Sequence, residues 1–273
     1  MMRDITIGQY YRADSPIHRL DPRVKIAGTF IYMVSLFFQK SILTYILAIL
    51  TLVIVVKTSK VPFSFMVRGL KPIMFILLFS VLINMFFVPG EIVAKFWIFK
   101  ITKEGMIQAG FMGVRLIILI LGASLLTLTT TPNQLTDGLE KMFGCLKKIK
   151  IPVHEIAMMM SIALRFIPIL TEETDKIMKA QMARGADLDS GNLIQKIKSM
   201  IPILVPLFVA AIRRANDLAM AMESKCYNGS DGRTKMKPLI YTKADKGAYL
   251  MEAAFLAVMI VLSVVSHKAG LSF

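Results

Sequence analysis

Residues that do catalytic work are scarce in this chain. Its 273 residues include two cysteines, three histidines and one tryptophan. Cys145 and Cys226 stand at no metal-ligand spacing. Both fall in a stretch assigned below to the cytoplasm, where a stable disulfide is not expected, so both are read as free thiols packing as small apolar groups. His154-Glu155 is not followed by a second histidine one helical turn on, which removes a zincin site. No Gly-x-x-x-x-Gly-Lys-Ser/Thr loop and no Gly-x-Ser-x-Gly elbow occurs, so neither a Walker-type nucleotide site nor a hydrolase nucleophile is expected. Acid is also short, with 18 Asp and Glu against 33 Lys and Arg and a formal charge of +15.

What the chain has is apolar surface, 55% of its residues. That fraction exceeds the 45–50% or so of soluble domains. Apolarity joined to a basic excess fits a multispanning membrane protein whose inner loops hold the Lys and Arg. Binding of nucleic acid is the rival explanation of a basic chain. It fits poorly, because the first basic clusters sit directly beside apolar runs of spanning length.

A spanning helix needs about 20 mostly apolar residues. The runs that qualify are 25–40, 41–57, 71–89, 106–130 and 248–266. No cleavable signal peptide is expected, since residues 1–25 are studded with charge, and the first run directs insertion itself. The first two runs meet at Gln39-Lys40-Ser41 and predict a tight helical hairpin. Arg115 interrupts the fourth run and is expected to face protein or the interface rather than lipid. Glu252, near the start of the last run, is expected at the interface. Between the third and fourth runs, Phe96, Trp97 and Phe99 give a loop suited to the membrane surface. Lys and Arg concentrate before residue 25, between 57 and 71, and in 131–247, which places all three inside and the C-terminus outside.

The expected organisation is therefore all-α: a membrane region of about four spans over 1–130, a cytoplasmic module over 131–246, and a last transmembrane helix in 247–273. The middle module is too long for a loop and too patterned for disorder. Leu135, Leu139, Met142, Phe143 and Leu146 recur at helical spacing and predict one amphipathic helix. Two longer helical segments follow, each carrying Ile-Pro ahead of an apolar stretch and each ending in a basic tripeptide and a glycine-containing break. Pro168 predicts a kink or break in the first, and Pro202 and Pro206 mark the second. Their apolar parts, 156–170 and 201–212, are either a bundle core or helices lying on the membrane surface. Twenty methionines, about half of them in this module, suit a surface that repacks against partners, and equally a core with gaps to fill.

The two basic tripeptides are the candidate sites. Ala183-Arg184-Gly185 reads as a helix C-terminus, with Arg on the dipole and Gly in the left-handed position. It also reads as a helix end docked in a partner, where small residues admit a close backbone and Arg offers a planar fork of donors.

Three stretches carry a resemblance: "RFIPILTEETDKIMKAQMARGAD", the upstream "IPVHEIAMMMSIAL" and the early "HRLDPRVKI". Over essentially its whole length the chain resembles the transmembrane T component of energy-coupling factor transporters, the CbiQ/EcfT family. The resemblance implies a non-catalytic subunit of a vitamin or trace-metal importer in the cell membrane. Its implied partners are two ABC-type ATPases, which bind the ATP and Mg, and a membrane-embedded substrate-binding S component. It implies ATPase docking through Ala183-Arg184-Gly185 and through a second motif at Ser224-Lys225-Cys226. There the usual central Arg is replaced by Lys225, which keeps the charge and loses the bidentate fork. A stand-alone carrier and a membrane-bound enzyme are the alternatives. The first would need ion-coordinating residues within the spans and the second a catalytic constellation, and neither is found.

Overall fold

The computed structural model describes residues 10–39, 41–87, 89, 92–96, 99–186, 193–229, 236 and 238–268. Trp97, Lys40 and the break at Asp187, Asp189, Ser190 and Gly191 lie outside them. In chain order the helices are α1 (Pro16–Arg19), α2 (Pro22–Phe37), α3 (Ile42–Ser59), α4 (Phe63–Leu70) and α5 (Met74–Phe87). After a short ribbon come α6 (Lys103–Thr129), α7 (Pro132–Met142), α8 (Val153–Ala183), α9 (Leu193–Ser224) and α10 (Lys243–Lys268). The described residues fall into two compact units: those up to Gly138 together with those from Leu239 onward, and Leu139–Pro238.

Among the described residues six helices are long and apolar enough to cross a membrane: α3, the joined α4–α5, α6, α8, α9 and α10. Four of these coincide with expected spans. The fifth expected span, 25–40, is the sixteen-residue α2. At 1.5 Å per residue it reaches about 24 Å, short of the roughly 30 Å hydrocarbon layer. The span expected at 71–89 starts earlier, at Phe63, because Pro72 sits in the first turn of a 3-10 segment, Lys71–Ile73, where its missing N–H costs nothing. Lys60, at φ +57°, makes the tight turn from α3 into it. The expected surface loop after α5 contains a two-stranded antiparallel ribbon, β1 (Ile92–Phe96) against β2 (Phe99–Thr102). Its β-branched and aromatic content favours strand over loop.

The first unit is built around Leu36 of α2, Tyr45, Ala48 and Leu52 of α3, Met66 of α4, and Ile118, Leu121 and Leu125 of α6, all buried. Gly122 lets α6 approach α2, since a Cβ there would stand 3.2 Å from the Tyr32 ring. Gly28 of α2 makes room in the same way for the carboxylate of Glu252 on α10. Arg115 does face protein: its Nε donates to the Tyr45 hydroxyl at 2.8 Å and its Nη2 to the Gln39 carbonyl at 3.2 Å.

The stretch His18–Ile26 knits three parts of this unit together. Asp21 caps α2 by accepting from the Arg23 N–H, and its own N–H donates to Asp245 Oδ1 at 2.8 Å. Arg23 pairs with Asp21 at 2.8 Å and lies 3.8 Å over the Tyr241 ring. The buried Lys25 ammonium donates to the carbonyls of His18 and of Thr129, the last residue of α6. Leu-Asp-Pro-Arg-x-Lys is therefore a tie between the N-terminal segment, the end of α6 and the start of α10. Burial holds the His18 imidazole below its usual pKa.

The amphipathic helix expected from Leu135 onward divides into α7 and a 3-10 segment, Phe143–Ile149, closed by Lys150 at φ +63°. Pro168 does not end α8, nor do Pro202 and Pro206 end α9. Each proline forfeits one backbone hydrogen bond, and the helix continues on both sides. The helices reach about 46 and 48 Å at the usual rise.

Candidate functional site

α8 and α9 run antiparallel. Gln181 near the end of α8 donates to the carbonyl of Pro202 at 3.2 Å, and Arg214 of α9 pairs with Glu173 of α8 at 3.2 Å. Little of either is covered within the chain: among the described residues Ala157 is the buried residue of α8, and α9 has none. Ile194, Ile197, Ile201, Leu204 and Phe208, spaced at three and four residues, are each more than half exposed. That is an apolar stripe along α9 with its length left open.

α8 ends where the first tripeptide lies, and the closure is a Schellman motif. The Gly185 N–H donates to the Met182 carbonyl at 3.0 Å, and the Ala186 N–H to the Gln181 carbonyl at 3.0 Å. Gly185 takes φ +86°, a conformation open to glycine and costly to other residues. Arg184 is the C-cap, its side chain exposed beyond the last turn. A cation there complements the negative end of the helix.

α9 ends in the same way one-for-one. The Cys226 N–H donates to the Glu223 carbonyl at 2.8 Å, and the Tyr227 N–H to the Met222 carbonyl at 3.0 Å. Lys225 holds the C-cap place of Arg184, and Cys226 holds the place of Gly185 with φ +55°. The alignment of Ser224-Lys225-Cys226 with Ala183-Arg184-Gly185 is thus matched by backbone geometry as well as order. A non-glycine residue in this region costs about 1–2 kcal/mol, so the closure at Cys226 is held at some strain.

The structure does not bring the two tripeptides together. Because α8 and α9 are antiparallel, the end of α9 lies beside the first half of α8, where Arg165 stands 19 residues before Arg184. The rise per residue puts the two exposed cations roughly 30 Å apart. Beside Lys225 the two helices leave a cleft of about 660 Å³, lined by Arg165, by apolar side chains including Ile162, Phe166 and Met222, and by the polar Ser161 and Asn228. The place of Arg165 beside Lys225 was not legible in the sequence, because it depends on the pairing of two helix segments about 60 residues apart.

Both cysteines are free and exposed, which corrects the expectation that they pack as small apolar groups: Cys145 lies within the exposed 3-10 segment Phe143–Ile149 and Cys226 at the end of α9. His154 donates or accepts at 2.9 Å with Glu140, tying the start of α8 back to α7. Among the described residues no three His, Cys, Asp or Glu side chains cluster as metal ligands would.

Comparison with known proteins gives these helices a context. Residues 13–236 match the family model described as CbiQ, cobalt transport protein. The chain is 53% identical to the energy-coupling factor transporter transmembrane protein EcfT of Clostridium kluyveri over 263 residues, covering 96% of this chain and 97% of that one. It is 48% identical to the protein of the same name from Bacillus subtilis, covering 90% and 93%, and 46% identical to that of Lactococcus lactis subsp. cremoris, covering 89% and 92%. With its multiple apolar helices of spanning length and these matches over nearly its full length, the chain belongs to the EcfT family of energy-coupling factor transporter transmembrane proteins.

Proposed function

We propose that this chain is the non-catalytic coupling subunit of an ATP-driven importer, transmitting the work of two partner ATPases to a substrate-binding membrane partner. The observation that carries the reading is the pair of equivalent helix ends, each presenting one exposed cation on a closed C-terminus and set roughly 30 Å apart. Two contacts at that spacing suit two ATPase subunits better than one. Ala183-Arg184-Gly185 is the first docking motif and Ser224-Lys225-Cys226 the second. ATP and its Mg belong to the partners.

The uncovered apolar stripe of α9 is the proposed seat of the substrate-binding component, because an apolar face of that length needs cover from protein or lipid. A rigid helix that carries a docking cation at one end and an apolar face along its length converts displacement of the end into displacement of whatever rests on the face. ATPase movement at Arg184 and Lys225 would in this way reorient the membrane partner and release its cargo inside.

The orientation that serves this mechanism has the N-terminus and the coupling helices in the cytoplasm and the C-terminus outside. The Lys and Arg distribution supports it. Charges at Glu172, Glu173, Asp175, Lys176 and Lys179 in α8, and at Arg213, Arg214, Asp217 and Glu223 in α9, favour helices at the membrane surface over helices crossing it. Purification of the detergent-solubilised chain from its native membranes tests the assignment. ABC ATPases and a small membrane protein should co-purify, and transport by the chain alone in proteoliposomes would contradict it.

A further inference from the structure

The cleft beside the second helix end has features that the docking motif alone does not use. Its lining includes two cations, Arg165 from α8 and Lys225 from α9, and no carboxylate. Both side chains belong to exposed residues, and among the described residues neither forms an ion pair. Like charges from two different helices converge on one cleft at a cost that an anionic occupant removes. The rest of the lining mixes apolar side chains, among them Ile162, Phe166 and Met222, with the polar Ser161 and Asn228. About 660 Å³ accommodates a few side chains and not a whole helix.

We infer that this cleft is the receiving half of the second ATPase contact, in which Arg165 and Lys225 together grip a carboxylate on the partner ATPase while neighbouring apolar side chains of that partner enter the cleft. This rests on the docking reading above and extends it to a residue outside either tripeptide. The chemistry explains how a lysine serves where the first site uses arginine. An ammonium is a point charge and cannot hold both carboxylate oxygens in one plane. Arg165 supplies the planar fork from the neighbouring helix, and Lys225 adds charge from the helix end. The second site is then composite, whereas the first needs Arg184 alone.

Retention of the ATPases by the full complex, purified at rising salt, reads this directly. Arg165→Gln should weaken retention about tenfold and flatten its salt dependence, and adding Lys225→Arg should restore much of it. Lys225→Gln should weaken retention similarly, and the double variant should lose less than the two separate losses multiplied, as expected for groups that share one anion. Co-purification of the small membrane partner checks that each variant is folded. Full retention with Arg165→Gln alongside loss with Lys225→Gln would overturn the composite site and leave the docking motif standing. Full retention with both would overturn the docking assignment at this end as well. Loss with Arg165→Gln that Lys225→Arg does not relieve, or that appears only in bilayers rich in anionic lipid, would also overturn the proposal, the first as a packing effect and the second as a lipid headgroup site.

Discussion

The two ends of the α8–α9 pair share a backbone and differ in side chains. Each closes with the same pattern of two hydrogen bonds and a left-handed residue at the same position, yet one presents Arg-Gly and the other Lys-Cys. The comparison separates two requirements that a sequence motif merges. Geometry at the helix end is set by the closure, and cysteine reaches it at some cost. In the proposed docking, recognition is set by the cation, and there lysine and arginine are not equal. The first end meets both requirements within three residues, while the second draws on its neighbour helix.

Exchanging the cations should break the comparison most sharply. Arg184→Lys removes the planar fork where no second guanidinium is proposed to help, and should weaken ATPase association by about tenfold, or 1.4 kcal/mol. Lys225→Arg adds a fork beside Arg165 and should strengthen association only a few-fold. Isothermal or pull-down titration of the purified ATPases against each complex measures both, and equal effects at the two ends would show that the fork is irrelevant.

Exchanging the left-handed residues should sharpen it with a smaller effect. Gly185→Ala should loosen the end of α8 by about 1 kcal/mol, and Cys226→Gly should tighten the end of α9 by somewhat less. Amide hydrogen exchange at Ala186 and Tyr227, whose N–H groups reach back five residues to close each helix, reports each change in place. Faster exchange at Ala186 and slower exchange at Tyr227 are expected.

How much of this was legible from residues alone depends on the range of the signal. Spans α3, α6 and α10 declare themselves because a long apolar run is a local property. The end of α8 was legible because glycine after a cation marks a left-handed cap. The matching closure at Cys226 was not, since cysteine carries no preference for positive φ. A break at Pro168 was one of two expectations, and α8 continues through it, because sequence shows the lost donor and hides the turns on either side. The ribbon at 92–102 was read as a surface loop, its short strands lacking turn residues that announce a hairpin. The bond from Lys25 to the Thr129 carbonyl was not legible, because it depends on a meeting of segments about 100 residues apart. Arg165 follows the same rule: a cleft between two helices has no signature in either.

The central claim is that exposed cations on these helix ends hold the partner ATPases. Charge reversal at the first end tests it most directly, because Arg184 sits past the last turn and bears no packing load. In a complex reconstituted in proteoliposomes with Arg184→Glu, the account predicts loss of ATPase association and of ATP-driven uptake, with the small membrane partner still bound. Unchanged association and unchanged uptake would contradict it.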